Sequence, residues 1–521
     1  MTINCPGARP SPRVETIPLP AGRASEPGAT GALPAAAALC LLLAGCAAGP
    51  DFVKPAAPDV RDYTAEPLAT TASVPQLAGG EAQQFATGGD VVADWWTLFH
   101  SRSLDALIEE SLASNHDLKA AQAALSVARE NVLAHRGTFY PGVSASVSAS
   151  RQQDPPGSLA PVPSTNASLY NLYTPQVSVS YVPDVFGLNR RTAESLGAQQ
   201  RSARYQMIAA CNTLAANVAV TAIQESAVRE QIDATRELID INTRNLGIVQ
   251  YQFDKGYASG IDLAAQRSQL AQVSATLPPL LKQSAQLRNL MAVLAGRYPG
   301  RATADGIELA SLRLPQELPV SLPSELVAQR PDVLQAEENM HAASAQVGIA
   351  AAERLPSLEL TANAGSTALA LRQVFTSGTG FWSLGAAVTA PLFSGGMLMH
   401  QERAAKAAYV QAAEQYRSTV LVALQDVADT LVALEQDADA LKAAAAANDA
   451  AKQTLDLVQR QSDDGYVGYL ALLGAEQAYQ QARINLVQSQ ADRFADTAAL
   501  FQALGGGWWH REQLAENNHG N

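Results

Sequence analysis

Seven histidines, four cysteines and 49 carboxylates are the side chains of this 521-residue chain best suited to chemistry. Their spacing assembles no catalytic constellation. His100, His116, His135, His341, His400, His510 and His519 form no HExxH pair and have no CxxC pair beside them, so the pattern builds no zinc site. Gly505-Gly506-Gly507 lacks a following Lys-Ser/Thr and reads as a turn, not a phosphate cradle. The carboxylates are spread along helical stretches, where they make a solvated face or line a cation-selective passage. No enzyme activity, cofactor or metal is expected. With 36 basic against 49 acidic residues, no nucleic-acid partner is expected either.

One thiol has a clear chemistry open to it. Arg9, Arg13 and Arg23 precede a short apolar stretch, Ala35 to Leu43, and small residues follow, the layout of a secretory signal. The stretch ends in Leu43-Ala44-Gly45-Cys46, which resembles the lipobox of bacterial lipoproteins. That resemblance implies cleavage before Cys46, a diacylglycerol on its sulfur and an acylated amine; the alternative is an incidental buried cysteine. Residues 1–45 are read as signal peptide, although the proline-bearing lead before Ala35 also fits a start codon placed too early. Cys5 and Cys40 then leave, Cys211 stays as one free thiol, and no intrachain disulfide forms. Loss of three Arg and two Glu moves the net charge from −13 to −14. Ala47, where an Asp would retain a lipoprotein at the inner membrane, resembles the sorting signal for the outer membrane.

The remaining sequence is alanine-rich, with 16% charged residues against about 25% in ordinary domains. No run of 18 apolar residues follows residue 50, which excludes an obvious transmembrane helix but not a barrel. The chain repeats itself. Asn115-His116-Asp117-Leu118 and Arg330-Pro331-Asp332-Val333 each open an Ala-rich helical segment that ends at a proline, Pro141 or Pro356, at an offset of 215. Asp254-Lys255-Gly256-Tyr257 and Asp463-Asp464-Gly465-Tyr466 match at an offset of 209. Each half reads as helix, two strands, long helix, turn, helix.

After each proline the pattern alternates with period two: Val143, Ala145, Val147 and Ala149 with serines between, then Val177, Val179 and Tyr181. Leu358 to Ala364 and Trp382 to Ala390 repeat this in the second half. Such alternation suits a half-buried sheet or a membrane barrel. Residues 151–172 and 376–380 read as loops. Four strands cannot close a barrel, which needs at least about eight; three chains would supply twelve. From Thr192 to Asp254 and from Met397 to Asp464 no proline intervenes, predicting helices of about 95 to 100 Å. Val420, Leu424, Val427, Leu431, Leu434, Ala438, Leu441 and Ala445 form a 3.5-residue seam in the second. Shorter helices are expected near 103–136, 261–295, 324–354 and 470–504, with Pro278-Pro279 bending or interrupting one of them. The fold class is mainly α with a small β part. Periodicity alone equally allows a solvent-exposed antiparallel coiled coil.

Four blocks carry a family likeness: Trp95-Trp96-Thr97-Leu98-Phe99 leading to Leu104-Asp105-Ala106-Leu107; Leu322-Pro323-Ser324-Glu325-Leu326 leading to Arg330-Pro331-Asp332-Val333; Asp184-Val185-Phe186-Gly187; and Leu504-Gly505-Gly506-Gly507-Trp508. In this order, with a lipobox and a duplication, the sequence resembles TolC-like outer-membrane efflux proteins, in particular the NodT/OprM-type lipoproteins of resistance-nodulation-division systems. The resemblance implies a homotrimer with a shared twelve-stranded transmembrane barrel and an α-helical tunnel. Its expected partners are a periplasmic adaptor protein, an inner-membrane resistance-nodulation-division pump and outer-membrane lipid. The implied function is passive conduction of drugs or other small molecules across periplasm and outer membrane. The alternatives are an outer channel for polypeptide secretion and a non-pore coiled-coil lipoprotein. The implied division is 1–45 signal, 46–94 lipidated tether, 95–296 first repeat, 297–323 equatorial linker, 324–509 second repeat and 510–521 tail.

Adaptor-docking tips fall by this likeness at Gly256, Tyr257 and Ser259 and at Gly465, Tyr466 and Tyr469; the plainer alternative is that Gly and Tyr make tight turns. The periplasmic aperture falls at Leu470, Gly474 and Glu476. Relatives often carry Leu-Asp-Ala-Gln-Arg there, whereas this chain has Leu473-Gly474-Ala475-Glu476-Gln477, which removes the acidic ring at Gly474. Glu476 stands two residues on, about 200° around the helix, a poor substitute.

Overall fold

The structure, a computed structural model, describes residues 47–60, 62–65, 70–153, 155, 169–301 and 306–510. Cys46, the signal segment and residues 511–521 lie outside the described residues. In chain order the elements begin with strand β1 (Gln84–Thr87), helices α1 (Arg102–Ser114) and α2 (His116–Arg136), and strands β2 (Gly142–Gln153) and β3 (Leu169–Tyr181). Helices α3 (Leu188–Asp254) and α4 (Gly260–Leu294) complete the first half. Strand β4 (Glu317–Val320) and helices α5 (Pro323–Gln329) and α6 (Pro331–Ala352) open the second. Strands β5 (Ser357–Ser366) and β6 (Gly380–Thr389) and helices α7 (Met397–Asp463) and α8 (Tyr469–Ala503) close it.

The duplication is metrical. Helices α3 and α7 each have 67 residues, and α4 and α8 each have 35. The repeated motifs perform matched local tasks. Asn115 caps α2, its Oδ1 accepting the Leu118 N–H at 2.9 Å, while its Nδ2 donates to the Leu294 carbonyl at 3.0 Å. At the matching place Arg330 precedes Pro331, which occupies the first turn of α6, where its missing N–H costs nothing. Gly187 and Gly396 take left-handed φ of 83° and 88° as the N-caps of α3 and α7, a conformation open to glycine, and there the chain turns from strand to helix.

Of the α7 seam, Val420, Val427, Leu431, Leu434, Ala438, Leu441 and Ala445 are buried and Leu424 is half-buried. Of the two outcomes expected at Pro278 and Pro279, interruption does not occur: α4 continues through both. Two lost N–H donors are outweighed by packing against α3, with which α4 forms one of the most extensive helix pairs. A departure concerns hydropathy. Helix α3 contains an 18-residue window of mean hydropathy 1.4, 56% of it buried; this is the core stripe of the helical body.

Strands β2, β3, β5 and β6 form one antiparallel sheet in that order. The register sorts the side chains into rows. Ala145, Val177, Ala364 and Trp382 lie side by side, as do Val143, Val179, Ala362 and Leu384. The alternate positions give Ser144, Ser178, Asn363 and Ser383. One face is apolar and the other polar, the pattern of a membrane barrel wall. From Tyr173 to the level of Val388 the apolar face spans about 10 register steps, or about 26 Å at a strand tilt of about 40°. Both outer strands, β2 and β6, have one edge without a partner among the described residues. The strands also run further than the alternation alone indicated, with β2 reaching Gln153 and β3 starting at Leu169.

The N-terminal segment is more than an extended tether. Strand β1 pairs in parallel with β4. Buried Gln83 donates to the Pro315 carbonyl and to the Thr497 hydroxyl at 3.2 and 3.3 Å. The Arg493 guanidinium, fully buried on α8, donates to the carbonyls of Gly79, Glu81 and Leu434 at 3.2, 2.8 and 3.1 Å. Beside this strap lies the main core, where Trp95 stacks on Phe501 at 5.4 Å and Trp96, Phe99, Leu104, Ile108 and Phe494 fill in around α3. The linker from 297 to 323 contains short 3-10 turns and β4 among its described residues and reaches an α-helix only at its last residue, Pro323, where α5 begins.

Candidate functional site

The features with functional potential sit at opposite ends of the long helices. At the far end from the sheet, α3 turns into α4 over residues 255–259 and α7 turns into α8 over residues 464–468. The two turns are built alike. Gly256 and Gly465 take φ of 80° and 77°. The next residue closes each helix with the same bond: Tyr257 N–H donates to Gln252 O and Tyr466 N–H to Gln461 O, both at 2.8 Å. This is a six-to-one helix closure that needs a left-handed residue and here uses glycine. Both tyrosines are left projecting, 84% and 81% exposed. Ser259 is committed locally: its hydroxyl accepts the Asp262 N–H while Asp262 accepts the Ser259 N–H, a reciprocal cap that starts α4. Tyr469 is the first residue of α8.

One turn further on, Leu470 is 57% exposed and Gly474 looks onto open space. Glu476 does not join them. It is 5% exposed and directed at α3, where its Oε1 accepts Asn245 Nδ2 at 3.0 Å, and its buried Oε2 has no partner. Burial pushes its carboxyl pKa up. The helical angle between positions 474 and 476 accounts for this placement: a residue on the exposed face at 474 leaves 476 facing the packed side. The same seam holds Gln477, which donates to Gln269 Oε1 at 2.5 Å, and Gln266, which donates to the Asn242 carbonyl at 2.9 Å. The helix ends are therefore joined by amides and one carboxyl set among buried Val249, Leu263, Leu472 and Leu473.

Three further charged groupings stand out along the body, and sequence patterns did not single them out for these roles. Arg330 links three helices: its Nη2 reaches Asp332 and Asp426 at 2.7 and 2.9 Å, and its Nη1 donates to the Ala423 and Ala503 carbonyls. His341 on α6 contacts Glu194 on α3 at 3.0 Å, with Arg201 Nη2 3.1 Å from its Nδ1 and the Phe52 ring stacked on it at 4.2 Å. Hydrogen bonding to Glu338 raises the His341 pKa. Asp437 of α7 and Asp492 and Asp496 of α8 crowd together; burial and then the neighbouring Asp437 push Asp496 up to about 7. Among the described residues, no group of three His, Cys, Asp or Glu side chains is placed to hold a metal ion.

This geometry, a sheet with a lipid-suited face joined to paired helices of matched length, has counterparts. Residues 107–297 and 322–506 match the family model described as outer membrane efflux protein. The chain belongs to the outer membrane efflux protein family. It is an outer-membrane component of efflux. Among relatives of this efflux family, the pyoverdine export outer membrane protein OpmQ of Pseudomonas putida is 30% identical over 420 residues, 80% of this chain and 88% of that one. The toluene efflux pump outer membrane protein TtgC of Pseudomonas putida is 28% identical over 488 residues, 92% and 96% of the two chains. In fold, the CmeC outer membrane channel of Campylobacter jejuni superposes with a TM-score of 0.82 at 21% identity, covering 91% of this chain and 97% of that one. The coiled-coil spacer and polypeptide-secretion alternatives are not favoured by these likenesses.

Proposed function

We propose that three copies of this chain join their sheets into one twelve-stranded barrel, with the long helices forming a tunnel beneath it. The observation that carries this reading is the four-stranded sheet, apolar on one face, polar on the other and open at both edges. Such a sheet cannot stand alone in lipid, because each open edge would leave a row of backbone groups without partners. Pairing β6 of one copy with β2 of the next removes both edges and puts the serine-rich face around water. In this reading Cys46 carries the lipid, the tips at Tyr257 and Tyr466 receive a periplasmic adaptor, and an inner-membrane pump supplies the energy. The chain itself is a passive conduit for small molecules and catalyses no reaction. Exposed tyrosines over glycine turns support the docking role, since an amphipathic ring offers area and a polar handle together.

Extraction from membranes tests the barrel. The Cys46→Ser variant is expected to stay with the outer membrane, to need detergent for release, and to migrate afterwards as a three-chain particle. Release of that variant by salt or alkali as single chains would overturn the reading. In a strain lacking the protein, accumulation of several unrelated small compounds is expected to rise.

A further inference from the structure

The duplication places two strand-to-helix corners at one end of the sheet, and only one of them is covered. Tyr181 is in register with Leu360, and Leu360 with Ala386. Phe186 follows Tyr181 by five residues and Leu392 follows Ala386 by six, so the two corners stand at the same height. At the first corner the chain's own N-terminal segment is docked. Ala48 N–H donates to the Phe186 carbonyl at 3.0 Å, and a Cβ on Gly187 would stand 2.9 Å from the Ala47 side chain. Arg191, 5% exposed, holds the Ala48 carbonyl at 3.1 Å and Asp51 at 2.8 Å. At the second corner none of the described residues covers Leu392 and Phe393, which are 96% and 92% exposed.

The occupant follows from two neighbours of this corner. The apolar sheet face leads into it through Trp382, Leu384 and Val388, all more than 70% exposed. Ala47, fixed at the matching corner, is adjacent in sequence to Cys46, so a lipid carried on Cys46 would start within one residue of that corner. We infer that Leu392 and Phe393 insert into the same membrane leaflet that receives the Cys46 acyl chains, giving each chain a second, non-covalent lipid anchor on the opposite corner of its sheet. This rests on the shared-barrel and lipidation reading above. Membrane binding strengthens with the apolar area that side chains bury at the interface, in addition to any acyl chain, and aromatic side chains concentrate at the rims of membrane barrels. A ring of three copies would alternate covalent and side-chain anchors around the barrel.

The test uses the full chain in vesicles of phosphatidylethanolamine and phosphatidylglycerol. A nitroxide is placed at position 393 through Phe393→Cys, in a parallel sample through Leu392→Cys, and as a control on the barrel wall through Leu384→Cys; buried Cys211 is shielded from the label. Collision with oxygen, which concentrates in lipid, is compared with collision with a water-soluble nickel chelate. Oxygen contact several-fold above nickel contact is expected at all three positions. Lipid contact at 384 with nickel contact at 392 and 393 would leave the barrel standing and overturn the second anchor. Lipid contact at 384 with neither reagent reaching 392 and 393 would place a neighbouring copy on the corner and overturn it equally. Nickel contact at 384 would bring down the barrel reading itself, and the anchor with it.

Discussion

Replacing Glu476 by Gln tests whether a buried acid weakens the joint near the helical tips. The wild-type carboxyl is 5% exposed, has one hydrogen bond, from Asn245, and leaves Oε2 buried without a donor. Gln keeps the shape and the bond from Asn245 while removing the charge. Leaving a buried polar group unsatisfied costs about 1–3 kcal/mol, and more when it is charged; Gln still leaves its amide N–H groups unpaired at the Oε2 position, so only the excess due to the charge is regained, about 1 kcal/mol per chain. That corresponds to about a 5-fold shift in a local opening equilibrium. The sign depends on pH. Burial raises the carboxyl pKa above its ordinary value of 4.5, so folded chains hold the proton more tightly than opened ones, and the joint is firmest in acid. It loosens as pH rises through the carboxylate range into the raised value, and the full penalty is present above that. Hydrogen exchange of backbone amides from Leu473 to Tyr479 reads this directly. At pH 7.5 Glu476→Gln is expected to slow exchange there, and the difference is expected to vanish in acid, where both proteins are neutral. Equal exchange at pH 7.5, or a difference that persists unchanged at low pH, would refute the reasoning.

Other consequences can be checked in the same preparations. Arg493→Met removes three donors from the buried carbonyls of Gly79, Glu81 and Leu434; at about 1–3 kcal/mol for a buried unsatisfied group, residues 78–81 should become protease-sensitive while the sheet stays intact. The Phe52 contact should tighten below the ordinary histidine value of about 6.5 and loosen as pH climbs through the raised His341 pKa, since it is the protonated imidazole that its carboxylate partners favour; exchange at residues 51–54 measures this, and His341→Gln should flatten it. Asp496→Asn should raise thermal stability at pH 8 and remove the loss expected as pH rises from 3.8 to about 7, because the native carboxyl is hard to ionise beside Asp437. Tyr257→Ala combined with Tyr466→Ala should reduce cross-linking to the adaptor several-fold without altering the size of the assembled particle.

Features with a period were legible in the sequence. The α7 seam needs one residue type every three or four positions, and the sheet needs alternation, so both announce themselves in a single chain. The turns at Gly256 and Gly465 were legible because a left-handed φ leaves glycine as its mark. Pro278-Pro279 gave no sign that the helix would continue through them, since a local rule about donors says nothing of the neighbouring helix that holds the segment helical. Strands β1 and β4, four residues each and more than 200 positions apart, carry too little pattern to be found without their partner. The tasks of Arg493, His341 and Asp496 were equally hidden: each depends on groups brought from other helices, and no spacing along one chain records which carboxyl or carbonyl will face it. Glu476 lies between these cases. Its angle from Gly474 was readable, but its bond to Asn245 and its lone Oε2 needed the folded seam.

Residues 79–92 meet the C-terminal part of the described chain, and this has a temporal consequence. Trp509 and His510 contact the Asp90 carboxylate at 3.0 and 2.6 Å, and Gly507 lies so close to Val91 and Val92 that a Cβ there would stand 2.5 and 2.4 Å from their carbonyl oxygens. Arg493, on the last long helix, grips Gly79 and Glu81. These contacts join positions more than 400 residues apart. A protein exported N-terminus first emerges with its strap long before anything exists to hold it, and contacts so distant in sequence form slowly. Residues 71–92 must therefore wait, exposed to proteases and chaperones, until the last helix arrives. Removing Arg493 to His510 would unfasten residues 79–92, making an intact strap a record that the chain has been delivered at least as far as His510.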